Sequence, residues 1–141
     1  MSDENKWMVR RIYEAMCNQQ SLTFVADHYT SDFLVHSTTE YRGPEGQLKR
    51  FANLFDALRD CEFTIQDQIA EGDKVVTRWI ARGVQIGEFE GLHPTGEMVM
   101  ITGIDILRIA HGKIIEGWSN ANRQGVTVTH QQRWKRSTAH E

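Results

Sequence analysis

The chain has 141 residues, of which 40% are hydrophobic and 25% are charged, as is typical of a single globular domain rather than a disordered or fibrous protein. Its formal net charge of −3 gives no reason to expect nucleic acid or an anionic membrane as a partner. Two cysteines, Cys17 and Cys61, are too few for a disulfide framework. The polar N-terminal residues contain no apolar signal core and no apolar run reaches membrane-spanning length, so we expect a cytoplasmic protein.

Three helices are predicted in the first part of the chain. The first covers about 3–18, because apolar residues recur there with the helical period and acidic residues lie near its N-terminal end. A short second helix is predicted over 22–29, and a short strand over 33–36. The third helix covers about 44–60, with Pro44 in its first turn, where a missing N–H is tolerated.

After these helices the hydrophobic period changes from 3.6 to 2, which indicates β-strands. Strands are predicted over 61–69 and 75–86, followed by a hairpin of strands over about 98–110 and 113–122. The connection 87–96 is too rich in Gly and Pro to be a central strand, and a long loop of this kind often borders a binding site. Helices followed by four consecutive antiparallel strands predict an α+β layer fold.

One carboxylate in the final hairpin is unusual for its surroundings. Asp105 lies within the apolar run from Ile101 to Ile109, where an unpaired ionised group would be costly. Such a carboxylate either accepts hydrogen bonds, for example from backbone N–H groups or from Arg78, or faces a cavity. We interpret Asp105 as facing a cavity.

Six segments carry a resemblance to a known family: NKWMVRRIYEAM, FLVH, RGPEG, IAEGDKVVTRWIARG, GEFEGLHPTGE and GIDILRIAHGKIIEGW. In their order and spacing, over about residues 5–122, they resemble the SnoaL-like polyketide (ester) cyclases of the nuclear transport factor 2-like superfamily. The resemblance implies a cone-shaped, curved antiparallel β-sheet that N-terminal helices close around an apolar pocket. We therefore expect one such domain over 1–141, with about 123–141 as a partly mobile C-terminal extension.

The resemblance also implies a reaction, an intramolecular aldol cyclisation by acid/base proton transfer that needs no metal or organic cofactor. In the family, the acid/base is an aspartate that directly follows the tryptophan of the last strand. Here Trp118 is followed by Ser119, and Asp105 matches the polar partner position on the preceding strand. Because a serine hydroxyl is not a general acid or base near neutral pH, Asp105 is the predicted catalytic residue. If Ser119 faces the pocket, its small neighbours Gly117 and Ala121 predict a wide cavity.

Four further residues are predicted to bind the substrate. His36 matches a histidine position of the family, and the polar groups of Ser119 and Asn122 are suited to hydrogen bonds with ligand oxygens. Trp79 is the aromatic candidate. Each has a structural alternative, because a strand-end histidine, polar sheet residues and a core tryptophan are all common without a ligand.

Three functions are compatible with the sequence. The first is a cofactor-independent cyclase or isomerase that acts on a small apolar, polyketide-like molecule. The second is a non-catalytic ligand-binding or dimerisation module that has lost the family's aspartate, and a pocket filled by its own side chains would favour it. The third is an epoxide hydrolase that uses Asp105 and Arg78. Since both faces of the strand 75–86 carry apolar residues, a homodimer is also predicted.

Overall fold

A computed structural model describes residues 2–17 and 22–124. The predicted α+β class and element order are confirmed, except that β1 is longer than the predicted strand over 33–36 and the short strand β2 was not predicted. The elements are α1 (Ser2–Cys17), α2 (Leu22–Asp27), β1 (Tyr29–His36), β2 (Tyr41–Arg42), α3 (Gly43–Ala57), β3 (Leu58–Glu71), β4 (Lys74–Gln85), β5 (Met98–Ala110) and β6 (Lys113–Arg123). In this part of the chain, none of the helices has the length and apolarity needed to cross a membrane. The predicted C-terminal extension lies, after its first two residues, outside the described residues.

The six strands form one curved sheet in the order β2-β1-β6-β5-β4-β3. As predicted, β3 to β6 are consecutive antiparallel neighbours. The sequence missed that β1 begins at Tyr29 and pairs in parallel with β6. It also placed the end of the third helix too late, because Leu58 has extended backbone angles and pairs with Gln85 at the start of β3.

The hairpin between β5 and β6 determines which residues face each other in the site. Its turn contains His111 and Gly112, whose φ angles are +52° and +76°. Two consecutive positive φ angles are typical of the tight turns that match the twist of a hairpin. The resulting register pairs Asp105 directly with Ser119.

The sheet has an inner face, covered by α1 and α3, and an opposite outer face. Along β4 the buried residues alternate strictly, and Val75, Thr77, Trp79 and Ala81 face inward. The sequence could not show which face of β4 points inward, because both faces carry apolar residues. The burial of these four residues identifies the inward face. The inner face of β5 carries Asp105 in the same alternating series as its apolar core residues.

Gln85 fixes the connection between β4 and β5. This side chain is fully buried, and its amide donates hydrogen bonds to the carbonyls of Gly87 (3.0 Å) and Leu92 (2.9 Å). Its Oε1 accepts a hydrogen bond of 2.8 Å from Arg123 at the end of β6. The Gln85 side chain therefore holds the connection at its start, Gly87, and near its middle, Leu92.

Within this connection, residues 89–92 form a tight turn, closed by reciprocal backbone hydrogen bonds between Phe89 and Leu92. The central residues Glu90 and Gly91 have φ angles of +47° and +84°. The turn directs Phe89 into the core, where it is 5% exposed and packs with Leu54 and other residues around Trp79.

Candidate active site

Asp105 lies at the centre of a buried polar cluster. Only 2% of it is exposed, and its two oxygens have different partners. The Tyr13 hydroxyl donates to Oδ2 over 2.7 Å, and the Ser119 hydroxyl donates to Oδ1 over 2.6 Å. The Arg50 guanidinium lies 3.5 Å from Oδ1 and also donates to Ser119. Of the two alternatives that the sequence left open, the structure shows the hydrogen-bonded carboxylate, and Asp105 is not among the residues that line the neighbouring cavity.

Four different elements supply this cluster. Tyr13 comes from α1 and Arg50 from α3, whereas Asp105 and Ser119 are cross-strand partners on β5 and β6. The arginine beside Asp105 is therefore Arg50. Arg78, which the sequence offered as one possible partner, lies instead on the outer face of β4 and donates two hydrogen bonds, of 2.9 and 2.6 Å, to Asp67.

Burial determines the protonation of Tyr13. Removal from water, and then the neighbouring negative charge of Asp105, raise the pKa of the Tyr13 hydroxyl well above its ordinary value near 10. The hydroxyl consequently stays protonated at physiological pH. It acts as a permanent hydrogen-bond donor to Asp105.

The interior beside this cluster is nearly filled. Its cavity measures about 10 Å³ and is lined by Arg50, Phe51, Leu54, Trp79 and Phe89. Such a volume holds about one water molecule. The prediction of a wide cavity was therefore wrong.

The reason is that large neighbours occupy the space beside the small residues of β6. A side chain at Gly117 would meet Leu107 at 2.8 Å and Phe33 at 3.6 Å. At the other end of the interior, the 89–92 turn inserts Phe89. Alternating small residues on one strand therefore did not imply free volume, because residues distant in sequence fill it.

Trp79, one of the predicted binding residues, forms a wall of this cavity. It is 1% exposed and stacks on Phe63 with ring centroids 5.1 Å apart. Its indole lies over Gly103, the residue that faces it across the strand pair. Ser119 also faces the interior, as described above, so both side chains are near Asp105.

The structure does not bring His36 and Asn122 to this cluster. His36 is bonded to Glu116 (2.8 Å) and stacks on Trp118, with ring centroids 5.6 Å apart. Asn122 is exposed and accepts a hydrogen bond from the backbone of Arg123. Asn122 and Trp118 occupy the strand positions that alternate with Ser119, and they therefore lie on the outer face.

Sequence reasoning missed three groups near Asp105, namely Tyr13, Arg50 and Glu90. Burial raises the pKa of the half-buried Glu90, the positive charge of Arg50 lowers it, and the negative charge of Asp105 raises it further. The sequence did contain a signal for Arg50. It follows Gln47 by three residues and precedes Leu54 by four, which places it on the buried stripe of α3.

No group of three or more His, Cys, Asp or Glu side chains within 2–17 and 22–124 is arranged to hold a metal ion. The groups that the site brings together are one carboxylate, two hydroxyls and one guanidinium. A carboxylate can accept a proton, and a guanidinium can stabilise a developing negative charge.

The family model of the SnoaL-like polyketide cyclases matches residues 7–129, and the chain belongs to this family. The predicted resemblance is thereby confirmed. A search among curated proteins found no significant match.

Solved structures of the same fold support this assignment. IdmH from Streptomyces antibioticus, a proposed polyketide cyclase, is 27% identical, with a TM-score of 0.69 over 90% of this chain and 96% of that one. AclR from Streptomyces galilaeus, a proposed hydroxylase, is 25% identical, with a TM-score of 0.73 over 92% and 85%. A proposed SnoaL-like polyketide cyclase from Jannaschia sp. CCS1 is 23% identical and shares the fold, with a TM-score of 0.74 over 92% and 91%.

Proposed function

We propose that the protein catalyses a cofactor-independent cyclisation or isomerisation of a polyketide-like molecule by proton transfer at Asp105. One observation carries the proposal: a carboxylate in the interior of the cone is held by Tyr13, Ser119 and Arg50. The similarity to IdmH, a proposed polyketide cyclase, supports the substrate class.

In the proposed reaction, the Asp105 carboxylate takes a proton from a carbon that neighbouring carbonyls activate. The enolate carbon then attacks a ketone carbon of the same molecule and forms the new ring bond. The alkoxide oxygen that results receives the proton from the Asp105 carboxyl group, so the enzyme returns to its starting state. Tyr13 and Ser119 hold the carboxyl group in position throughout.

The proposal requires the interior to open. A cavity of about 10 Å³ is far smaller than any polyketide. Phe89 is the wall residue that belongs to a connection rather than to a helix or strand, so movement of the 89–92 turn is the proposed route of entry.

A second candidate function is a non-catalytic binding or dimerisation module. The filled interior favours it, because side chains of the protein occupy the space that a substrate would need. The position of Ser119, where the family has its acid/base aspartate, favours it as well. An epoxide hydrolase based on Asp105 and Arg78 is not proposed, because Arg78 lies on the outer face.

The test is a pair of substitutions assayed with linear polyketide methyl esters. Asp105→Asn is expected to lower turnover by about 10²–10⁴-fold, the usual contribution of a general acid or base. Asp67→Asn, the same change at an exposed carboxylate, is the matched control and should leave turnover unchanged. Unchanged turnover in Asp105→Asn would contradict the assignment.

Because Asp105→Asn leaves Arg50 without its charged partner, it is also expected to destabilise the fold, by about 3–5 kcal/mol if the pair is fully broken.

Ser119→Asp is the second variant to assay, since it restores a carboxylate at the family position and next to Arg50. Gain of turnover in this variant supports a cyclase-type site. Absence of turnover in both the wild type and Ser119→Asp would favour the non-catalytic module.

We further propose that the protein is a homodimer associated through the outer face, and that it resides in the cytoplasm. Apolar side chains exposed on the outer face, such as Ile104 with 49% exposure, support the dimer. Two free cysteines, Cys17 and Cys61, are in keeping with a reducing compartment.

A further inference from the structure

Two of the residues that line the cavity each carry a buried hydrogen-bond donor without an acceptor. The donors are Nε of Arg50 and Nε1 of Trp79, and neither has a hydrogen-bond partner among the residues that the structure describes. Both residues line the cavity of about 10 Å³, together with Phe51, Leu54 and Phe89. Arg50 is 6% exposed and Trp79 is 1% exposed. A buried donor without an acceptor loses its hydration without compensation, so two at one place require an explanation.

The fold holds both donors in fixed positions. One terminal nitrogen of Arg50, Nη2, contacts Ser119 and Asp105 and so fixes the guanidinium. The Trp79 indole is pressed onto Gly103, where a Cβ would lie only 2.2 Å from the ring. Only a glycine at this strand position allows the indole to lie so close to the neighbouring strand.

Asp105 is linked to this cavity through Arg50, whose guanidinium lies 3.5 Å from its Oδ1. Trp79 is the cross-strand partner of Gly103, and Asp105 follows Gly103 by two residues on the same inner face. The proposed base and the two free donors are therefore neighbours, and Arg50 connects them.

We propose that this cavity is the subsite for a carbonyl oxygen of the substrate, and that Arg50 Nε–H and Trp79 Nε1–H bind the oxygen as it becomes an enolate. The inference rests on the proposed function and specifies the substrate as an enolisable carbonyl compound. When Asp105 removes the proton from the carbon, the electron pair of the C–H bond moves toward the carbonyl oxygen. Fixed donors and the guanidinium charge stabilise that developing negative charge.

The other walls of the cavity define the remainder of the ligand. Phe51, Leu54 and Phe89 are apolar, so they fit the carbon skeleton of a conjugated ring rather than a second polar group. At about 10 Å³, the cavity accepts the oxygen alone while Phe89 is in place. The rest of the ligand takes the position of Phe89 when the 89–92 turn moves.

The experiment measures equilibrium binding of 4-nitrophenolate, a planar aromatic ring with one anionic oxygen, and compares it with nitrobenzene, the same ring without that oxygen. We expect the wild type to bind 4-nitrophenolate more tightly. Trp79→Phe keeps the aromatic contact with Phe63 and removes one donor, so it should weaken 4-nitrophenolate binding roughly tenfold and leave nitrobenzene binding unchanged. Trp118→Phe, the same change on the outer face, is the matched control and should bind as the wild type.

Phe89→Ala provides a second measurement that does not depend on Trp79. It retains both donors and removes the side chain that closes the cavity, so 4-nitrophenolate should bind more tightly than in the wild type and nitrobenzene should still bind more weakly. This comparison decides the question if Trp79→Phe does not fold.

Three results would overturn the inference: equal affinity for the two probes, equal affinity of the wild type and Trp79→Phe for 4-nitrophenolate, or no binding of 4-nitrophenolate by either the wild type or Phe89→Ala. A loss of stability in Trp79→Phe with unchanged probe binding would show that the donors hold an enclosed water only. These readouts need no turnover. Failure of the subsite is therefore distinguishable from failure of the proposed cyclisation, which the Asp105→Asn and Ser119→Asp assays address.

Discussion

At the scale of single residues, Arg50 balances the acidic groups of the interior. Its guanidinium lies 3.5 Å from Asp105, and its charge opposes the rise in the pKa of Glu90 that burial causes. If hydroxyl groups were the only partners of a buried carboxylate, no positive charge would compensate its negative charge. An uncompensated buried charge is strongly destabilising. Arg50 thus supplies the positive charge beside both acidic groups.

Glu90 is expected to make the stability of the protein depend on pH. Because its pKa is raised in the folded state, the folded protein binds this proton more tightly than the unfolded chain. The associated stability is present at low pH, below the ordinary carboxyl value, and is lost as the pH rises through the raised pKa of Glu90.

We therefore predict that Glu90→Gln, which stays neutral at all pH values, is more stable than the wild type near neutral pH. The difference in the free energy of unfolding should shrink as the pH falls below the ordinary carboxyl value. Urea denaturation at several pH values measures it, and Glu88→Gln, an exposed neighbour, is the control. A difference that grows toward acid pH would contradict the prediction.

The sequence singled out Asp105 because an acid inside an apolar run is visible without any tertiary information. Tyr13 and Arg50 were not assigned to the site, because the packing of α1 and α3 brings them to Asp105. In the case of Tyr13, the two partners are 92 residues apart in sequence. Their positions on buried helical stripes were detectable from the helical period. Their contact with a particular carboxylate depends on how the helices pack on the sheet, which no local pattern contains.

At the scale of elements, the pairing of β4 with β5 positions the Trp79 indole. The ring lies over Gly103, where a Cβ would approach ring atoms to 2.2 and 2.3 Å, well inside van der Waals contact. The period of two predicted both strands, whereas the close contact follows from their register, which only the structure provides.

Gly103→Ala is expected to destabilise the protein by about 1–3 kcal/mol, because the indole must move within a packed core. The backbone of Gly103 is not in the left-handed region, so the added methyl group itself should be the cause. Thermal and urea denaturation measure the loss. In the Trp79→Phe background the smaller ring avoids the clash, so the same substitution should cost less, and equal costs in the two backgrounds would refute the explanation.

The sequence predicted most helix and strand boundaries, and its errors at this scale have a common cause. The parallel pairing of β1 with β6 joins segments about 80 residues apart, such as Val35 and Gly117. Such a strand is identified from the strand it pairs with more than from its own sequence pattern. The end of α3 was misplaced for a similar reason, since Leu58 continues the helical apolar stripe but pairs with Gln85 instead.

At the scale of the whole molecule, the helices cover only one side of the sheet. The outer face contains two open concave regions, of about 500 and 490 Å³, and Ile104 and Asn120 line both. Ile106 and Trp118 border the second region, and Met100 borders the first. Polar residues such as Asn120 lie beside these apolar side chains, and exposed apolar groups with a polar rim are typical of an interaction surface.

Ile104→Asp tests whether this face joins two copies of the chain. If it does, the wild type should sediment as a dimer at a protein concentration of roughly tens of micromolar. The variant should sediment as a monomer, because burying an unpaired carboxylate in an apolar interface is costly. Trp7→Asp is the matched control, since Trp7 is 62% exposed on α1, on the other side of the sheet, and its replacement should leave the dimer intact. A monomeric wild type, or a variant that still dimerises, would exclude the outer face as the interface, and the exposed Ile104 would then need another explanation.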